Sequence, residues 1–294
     1  MLSILLPVYN CNCVALVTEL QRQCTECGTD FEIIVADDCS SLASYIEHNL
    51  RIERLDGVRY ITRKQNVGRS AIRNFLISQA QGEWLLFIDG DLTLDNSHFI
   101  RRYLQTKSNV VVGGIRIGGD PDVWRNNLRY RYEKAYEQKN TVKNRQQYAT
   151  KHFSTANFLA HKTVMRNHSF DERFTRYGYE DVLFGKSLAE AHIPITHIDN
   201  PITFDFFDSN STFLDKTEES LRTLYNFRNQ LKDFSRLLDT AGRLRALHLQ
   251  GVLSMVYSLV GQLIKKHLQG NNPSVFLFNI YKLVYFLHYN SIRK

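Results

Sequence analysis

Residues 84–91, Trp-Leu-Leu-Phe-Ile-Asp-Gly-Asp, decide how this chain is read. Five apolar residues in an unbroken row suit a strand covered on both faces, as in a parallel sheet. The row ends at once in two carboxylates around a glycine. Just upstream, residues 70–81 carry helical spacing and stop at Gly82. The local order is helix, turn, buried strand, acidic tip.

The same grammar repeats toward the N-terminus. Residues 2–8 (LSILLPV) form an apolar run closed by Asn10, and residues 31–36 (FEIIVA) another, closed by Asp37-Asp38. Residues 58–61 suit a third strand, and residues 14–27 a helix stopped by Gly28. Strands alternating with helices predict an α/β fold with a mainly parallel central sheet flanked by helices. Ligands of such open sheets bind beyond the carboxyl ends of the strands. Tyr9-Asn10, Asp37-Asp38 and Asp89-Gly90-Asp91 all fall at that edge.

Toward the C-terminus, residues 110–117 (VVVGGIRI) suit one strand and residues 122–147 a long helical stretch rich in Arg and Tyr. Residues 153–160 return to apolar character. Residues 170–188 hold a polar loop running into a helix, and residues 193–198 suit a last strand. After residue 208 the pattern is helical, interrupted near residues 270–273. The expected division is an α/β domain, 1–208, then a helical extension, 209–294.

Composition is that of a packed globular protein: 43% hydrophobic and 23% charged among 294 residues. The net charge of +7 is unevenly placed. Residues 241–294 hold Arg243, Arg245, Lys265, Lys266, Lys282, Arg293 and Lys294 and no Asp or Glu, so residues 1–240 are neutral overall. Five cysteines (Cys11, Cys13, Cys24, Cys27, Cys39) in an unfamiliar spacing read as reduced thiols rather than a zinc knuckle. Residues 246–264 are uncharged, but Gln250, Ser254, Ser258 and Gln262 recur every four residues. They draw a polar stripe down an amphipathic helix, not a membrane span.

Three constellations carry chemistry. Asp89 and Asp91 meet what Mg²⁺ or Mn²⁺ needs beside a diphosphate, one or two carboxylates with phosphate oxygens and water; an Asp-Gly turn is the plain alternative. Tyr9 can stack on a base, Asp38 can accept an imide N–H, and Arg69 and Arg73 can neutralise phosphate. Glu180-Asp181, before a helical run, suit either a helix cap or a general base.

VYN (8–10), VADDCS (35–40), N-x-G-x-x-x-x-R-N (66–74), FIDGD (87–91) and GYEDVLFG (178–185) stand in the order and approximate spacing of family 2 glycosyltransferases. The chain resembles that family from about residue 2 to residue 208, which implies a catalytic domain over 1–208 with a nucleotide-binding half, 1–91, and an acceptor half, 92–208. The resemblance implies a GT-A fold and inverting sugar transfer from a nucleotide diphosphate, UDP favoured, with a divalent metal. It implies that Pro7, Tyr9 and Asn10 border the base and that Asp38, beside Asp37, contacts uracil or its equivalent. Asn66, Gly68, Arg69 and Arg73 would close over the nucleotide. Asp89 would face the ribose or a metal water, and Asp91 would ligate the metal. Asp181 would be the catalytic base, with Glu180 orienting it or the acceptor.

Two departures stand out. Cys39 replaces the usual glycine after the paired aspartates. Where many relatives carry a metal-binding histidine after the final strand, this chain has Phe204 and then Asp205. Asp205, His197 or no third protein ligand are the alternatives.

The expected partners are the donor and a sugar or lipid-linked acceptor in polysaccharide or glycolipid synthesis, with no nucleic acid. Residues 241–294 suit either peripheral membrane contact, placing a cytoplasmic enzyme on the inner face of the membrane, or packing on the domain or in a homodimer. A nucleotidyltransferase would carry a Gly-rich basic loop where PVYNCNC stands, and no G-x-G-x-x-G follows the first strand. A non-catalytic nucleotide-sugar-binding or scaffold protein of the same fold is the remaining alternative.

Overall fold

A computed structural model describes residues 1–293. Its strands, in chain order, are β1 (Leu2–Val8), β2 (Phe31–Asp37), β3 (Val58–Thr62), β4 (Trp84–Ile88), β5 (Val110–Val112), β6 (Ile115–Ile117), β7 (Asn157–His161), β8 (Thr196–His197) and β9 (Ile202–Phe204). Seven of them form one sheet in the order β3-β2-β1-β4-β7-β5-β8, while β6 and β9 pair separately. The apolar run of β1 lies inside the sheet, parallel to β2 (Leu5 opposite Ile34) and to the central strand β4 (Leu5 opposite Phe87). β7 runs antiparallel between β4 and β5.

This order locates the ligand edge. From β1 the chain moves outward to β2 and β3, then returns to lay β4 on the other side of β1. The reversal opens a crevice at the carboxyl ends of β1 and β4, the position open α/β sheets use for ligands. Beneath it, Phe87 stacks on Phe158 with centroids 4.6 Å apart, and Phe170 on Phe184 at 4.4 Å. The helix Arg69–Gln79 contributes Ile72 and Leu76 to that core, and the helix Glu180–Glu190 contributes Phe184 and Leu188.

Several expected boundaries change. Residues 110–117 are two strands in different sheets, broken at Gly113-Gly114, where Gly114 takes φ +92° and a Cβ would lie 2.7 Å from Arg145 Nη2. The long helix expected over 122–147 is three: Pro121–Trp124, Leu128–Glu137 and Val142–Gln147. Asn127 and Thr141 start the second and third, each side chain accepting a backbone N–H from three residues on. The strand expected at 193–198 shrinks to Thr196–His197.

The chain divides into two compact units. The first comprises 1–118, 139–175 and 180–206; the second takes 119–138, 176–179 and the described chain from 207. The first holds both sheets. The second is helical, with Asn210–Asn226, Arg236–Ala246, Gln250–Gln269 and Val275–Ile292 around Leu128, Leu214, Leu268, Phe278 and Tyr281. All five cysteines are free thiols.

Candidate active site

The paired aspartates at the end of β2 do different work. Asp37 is fully buried, and its carboxylate accepts from Ser40 N–H at 2.6 Å, Ser40 Oγ at 2.8 Å and Tyr60 Oη at 2.7 Å. Those three donors occupy it as a brace for the loop. Asp38 accepts the backbone N–H groups of Val67 and Gly68, both at 2.9 Å, and so pins the 66–69 loop. Burial raises its carboxyl pKa, against the lowering pull of those two N–H groups. Asn10 links the other side: its backbone N–H donates to Ser40 Oγ at 2.8 Å, and its side-chain oxygen accepts from Ser41 N–H at 2.8 Å. Pro7 precedes this loop and pairs with Ala36 in the sheet register. Tyr9 stands half-exposed at the mouth, and Asn66 is exposed.

At the tip of β4 the backbone passes so close to β1 that only glycine fits. A Cβ on Gly90 would lie 2.6 Å from Val8 Cγ2 and 3.2 Å from the Pro7 carbonyl oxygen. This contact fixes where the two flanking carboxylates emerge. Asp91 is exposed, and its charge helps burial push up the thiol of Cys11. Asp89 turns inward, with Oδ1 2.7 Å from Arg73 Nη2.

Arg73 reaches in from the helix Arg69–Gln79 and is 1% exposed. Its second terminal nitrogen lies 3.5 Å from Glu180 Oε1, and its guanidinium carbon 5.8 Å from the Phe170 ring centre. One buried cation therefore joins the acidic tip of β4 to the first residue of the helix Glu180–Glu190. Arg69, one turn earlier and half-exposed, lies 3.7 Å from the same Glu180 oxygen. Phosphate neutralisation was the expectation for both arginines; Arg73 is instead committed to protein carboxylates, and Arg69 is the one that reaches solvent.

Asp181 follows in the first turn of that helix, its Oδ1 accepting its neighbour Val182 N–H at 2.8 Å. Burial, and then the Glu180 charge, push its carboxyl up to about 7. A partly buried carboxylate that changes protonation near neutrality is suited to taking a proton from a hydroxyl.

The residues weighed as a third metal ligand stand in different surroundings. His197 is buried: Nδ1 lies 3.1 Å from Arg145 Nη1 and Nε2 2.9 Å from the Ala149 carbonyl oxygen, so both ring nitrogens are engaged. Burial and the adjacent arginine hold its pKa down near 4. Asp205 instead accepts from Thr93 Oγ1 at 3.1 Å, and Thr93 lies two residues beyond Asp91. Backbone bonds between Thr93 and Thr203 hold the two segments together. Sequence reasoning passed over Thr93, Ser40 and Tyr60. A threonine after D-G-D carries no local sign that its partner lies 112 positions away. Among the described residues no group of three His, Cys, Asp or Glu side chains is preassembled for a metal. Asp89 and Asp91 flank Gly90, and Asp205 is tied through Thr93 to the segment two residues beyond Asp91; one or two carboxylates of this kind are the protein share that Mg²⁺ or Mn²⁺ takes beside diphosphate and water.

The family model for glycosyl transferase family 2 matches residues 3–174, more than half of the chain and, save Leu2, the strands β1 to β7. The chain belongs to glycosyl transferase family 2. An uncharacterised glycosyltransferase of Haemophilus influenzae is 34% identical over 93 residues, 31% of this chain and 29% of the relative. The match thus spans less than a third of that relative's length. S. aureus TarS 1-349, solved with UDP, is similar in structure with a TM-score of 0.51 at 17% identity, covering 99% of this chain and 91% of that one. The mannosyltransferase PcManGT from Pyrobaculum calidifontis, solved with GDP-Man and Mn²⁺, gives 0.53 at 12% identity, covering 99% and 86%. At these identities the likeness establishes the fold, GT-A, as the resemblance implied.

Proposed function

We propose that this family 2 member is a cytoplasmic, inverting glycosyltransferase using a nucleotide-diphosphate sugar, UDP favoured, and a hydroxyl acceptor on a sugar or lipid-linked glycan. The observation that carries this reading is the meeting of Asp38, Asp91 and the Arg73-held Glu180-Asp181 pair at one sheet edge. Solved neighbours bind UDP or GDP-Man with Mn²⁺, which supports a donor of this class.

In this reading residues 1–91 hold the donor and 92–208 the acceptor. Tyr9 stacks on the base, Asp38 meets its polar edge, and Asn10, Asn66 and Gly68 shape the loops around it. Asp91, with Asp89 and Asp205, would hold Mg²⁺ or Mn²⁺, which would neutralise charge on the leaving diphosphate when bound. Arg69 supplies a further positive group there. Asp181 takes the proton of the acceptor hydroxyl as its oxygen attacks the anomeric carbon. The bond to the diphosphate oxygen breaks, and its electron pair leaves with the diphosphate. Glu180, held by Arg73, orients Asp181.

The test is a donor screen. Purified chain is incubated with UDP-, GDP- and dTDP-sugars, with Mn²⁺ or with EDTA, and nucleotide release is followed. Metal-dependent release from one donor, lost in Asp91→Ala, is the expected result. Absence of release together with no metal-dependent nucleotide binding by calorimetry would leave the scaffold alternative.

A further inference from the structure

The helix Gln250–Gln269 is apolar on two sides: Tyr257, Ile264 and Leu268 pack into the helical core, and a second apolar row faces outward. Only the first half of its polar stripe turns inward: Gln250 is buried and donates to the Leu287 carbonyl oxygen at 3.4 Å, while Ser254 Oγ lies 3.0 Å from His288 Nδ1 and 2.8 Å from Ser291 Oγ; Ser258 and Gln262 stay exposed. Gly261 and Leu268 are buried on the same side. The opposite side carries Val252, Met255, Val256, Leu259 and Leu263, between 40% and 73% exposed. That spacing of three and four places all five on one helix face over about 16 Å.

Cations bracket this stripe. Arg243 and Arg245 are exposed ahead of it, next to exposed Leu247 and Leu249, and Lys266 is exposed at its far end. Not every cation of the tail is available. Lys265 pairs with Glu218 at 2.7 Å and Asp215 at 3.1 Å, and Lys282 sits over the Tyr132 and Phe278 rings. Among the described residues, the tail cations left exposed are Arg243, Arg245 and Lys266 along the stripe and Arg293 at the end of the helix Val275–Ile292. Among the described residues no single helix is long and apolar enough to cross a membrane; Arg236–Ala246 and Gln250–Gln269 meet instead at a bend of 112°.

We propose that this face seats the chain on an anionic lipid surface, with the helix Gln250–Gln269 lying in the interface plane. An apolar stripe flanked by Arg and Lys suits such a boundary, where the side chains enter the acyl edge and the cations meet acidic headgroups. Charge favours lipid over a second copy of the chain. From residue 241 on there is no Asp or Glu, so a second copy would set the same cations against one another. The inference stands apart from the donor chemistry, since it uses no residue of the sheet edge.

The test is flotation of the full chain with vesicles of phosphatidylcholine alone or mixed with phosphatidylserine, beside light scattering without lipid. Partition onto the anionic vesicles, at least about tenfold above the neutral ones and reduced by salt, is expected. L259E combined with L263E should lose about tenfold or more of that binding while keeping the wild-type melting temperature, both side chains being exposed. Should the double variant unfold, Lys266→Glu serves as the second probe and should weaken anionic binding alone. Failure to float with anionic vesicles would overturn the proposal, as would unchanged flotation of a folded double variant. So would a wild-type dimer dissociated by the same pair, because the stripe would then belong to a second copy.

Discussion

Arg73 Nη2 lies 2.7 Å from Asp89 Oδ1, and the arginine that makes this contact is 1% exposed. Its remaining donors face Glu180 at 3.5 Å and the Arg69 carbonyl, while Nε is left without a partner. A buried guanidinium is costly to desolvate, so its placement between two carboxylates is what makes it tolerable. The pair transmits position: the tip of β4 and the start of the helix Glu180–Glu190 are set by one side chain.

Replacing Arg73 by methionine strands Glu180, 5% exposed, without its buried cation. We expect a loss of about 3 kcal/mol or more in chemical denaturation, within the range for breaking buried pairs. Arg73→Lys keeps the charge but not the fork and should fall between. Wild-type stability for Arg73→Met would remove the pair from this structural role.

Asp181→Asn should lower kcat by at least about 10²-fold, the lower end of general-base contributions. In the wild type, kcat/KM should rise with pH through about 7, where the carboxyl ionises. Folding raises this pKa from 3.8, so between 3.8 and about 7 the native state holds a proton that the unfolded chain has lost. Ionising the group therefore costs stability as pH rises through that window. The Asn variant should melt higher than wild type at about pH 8, the gap closing below about pH 4. An equal melting temperature at both ends would contradict the raised pKa.

Metal dependence should separate Asp205 from His197. Asp91→Ala should abolish Mn²⁺-dependent nucleotide binding in calorimetry with little change in melting temperature, because Asp91 is exposed. Asp205→Ala should weaken that binding about tenfold or more, by removing a second carboxylate. His197→Gln should leave metal affinity unchanged and lower stability instead, since both ring nitrogens are bonded inside the fold. The reverse pattern would make His197 the ligand.

His197 also fixes a sign for acid sensitivity. Its pKa falls from 6.5 to about 4 on folding, so between those values the unfolded chain binds the proton that the native state excludes. The stability it contributes is full above 6.5 and is lost as pH falls through about 4. His197→Gln should flatten the stability profile of the chain across that interval, measured by denaturant titration at several pH values. A variant with the wild-type slope would assign the acid sensitivity elsewhere.

Gly90→Ala tests the close approach of β4 to β1. The added methyl would meet Val8 Cγ2 at 2.6 Å, and neither strand of a packed sheet can yield cheaply. We expect about 1–3 kcal/mol of destabilisation with a loss of donor binding, because the flanking carboxylates move together. Wild-type stability and binding would show that the loop relaxes freely.

Legibility in the sequence followed the range of the interaction. Unbroken apolar runs closed by Asp, Asn or Gly marked β1, β2 and β4, since strand burial and turn chemistry are written within a few residues. The short later strands were blurred because Thr196–His197 and Val110–Val112 owe their pairing to partners 85 residues apart. The caps at Asn127 and Thr141, which cut one expected helix into three, are local signals of the readable kind.

What the sequence by itself determined is the inventory and its edge: which segments are strands, and that Tyr9, Asp38, Asp89, Asp91 and Asp181 stand in family order. What only the tertiary structure decided is which of these groups are already spent. Asp37 is taken by Ser40 and Tyr60, Arg73 by Asp89 and Glu180, His197 by Arg145 and Ala149, and Lys265 by Glu218. The same holds for the helix Gln250–Gln269, whose pattern shows two faces without saying which is covered. Amphipathic periodicity is a property of one helix, whereas burial depends on its neighbours, and here the neighbours took Gln250 and Ser254 together with Tyr257, Ile264 and Leu268 and left Leu259 and Leu263 outside.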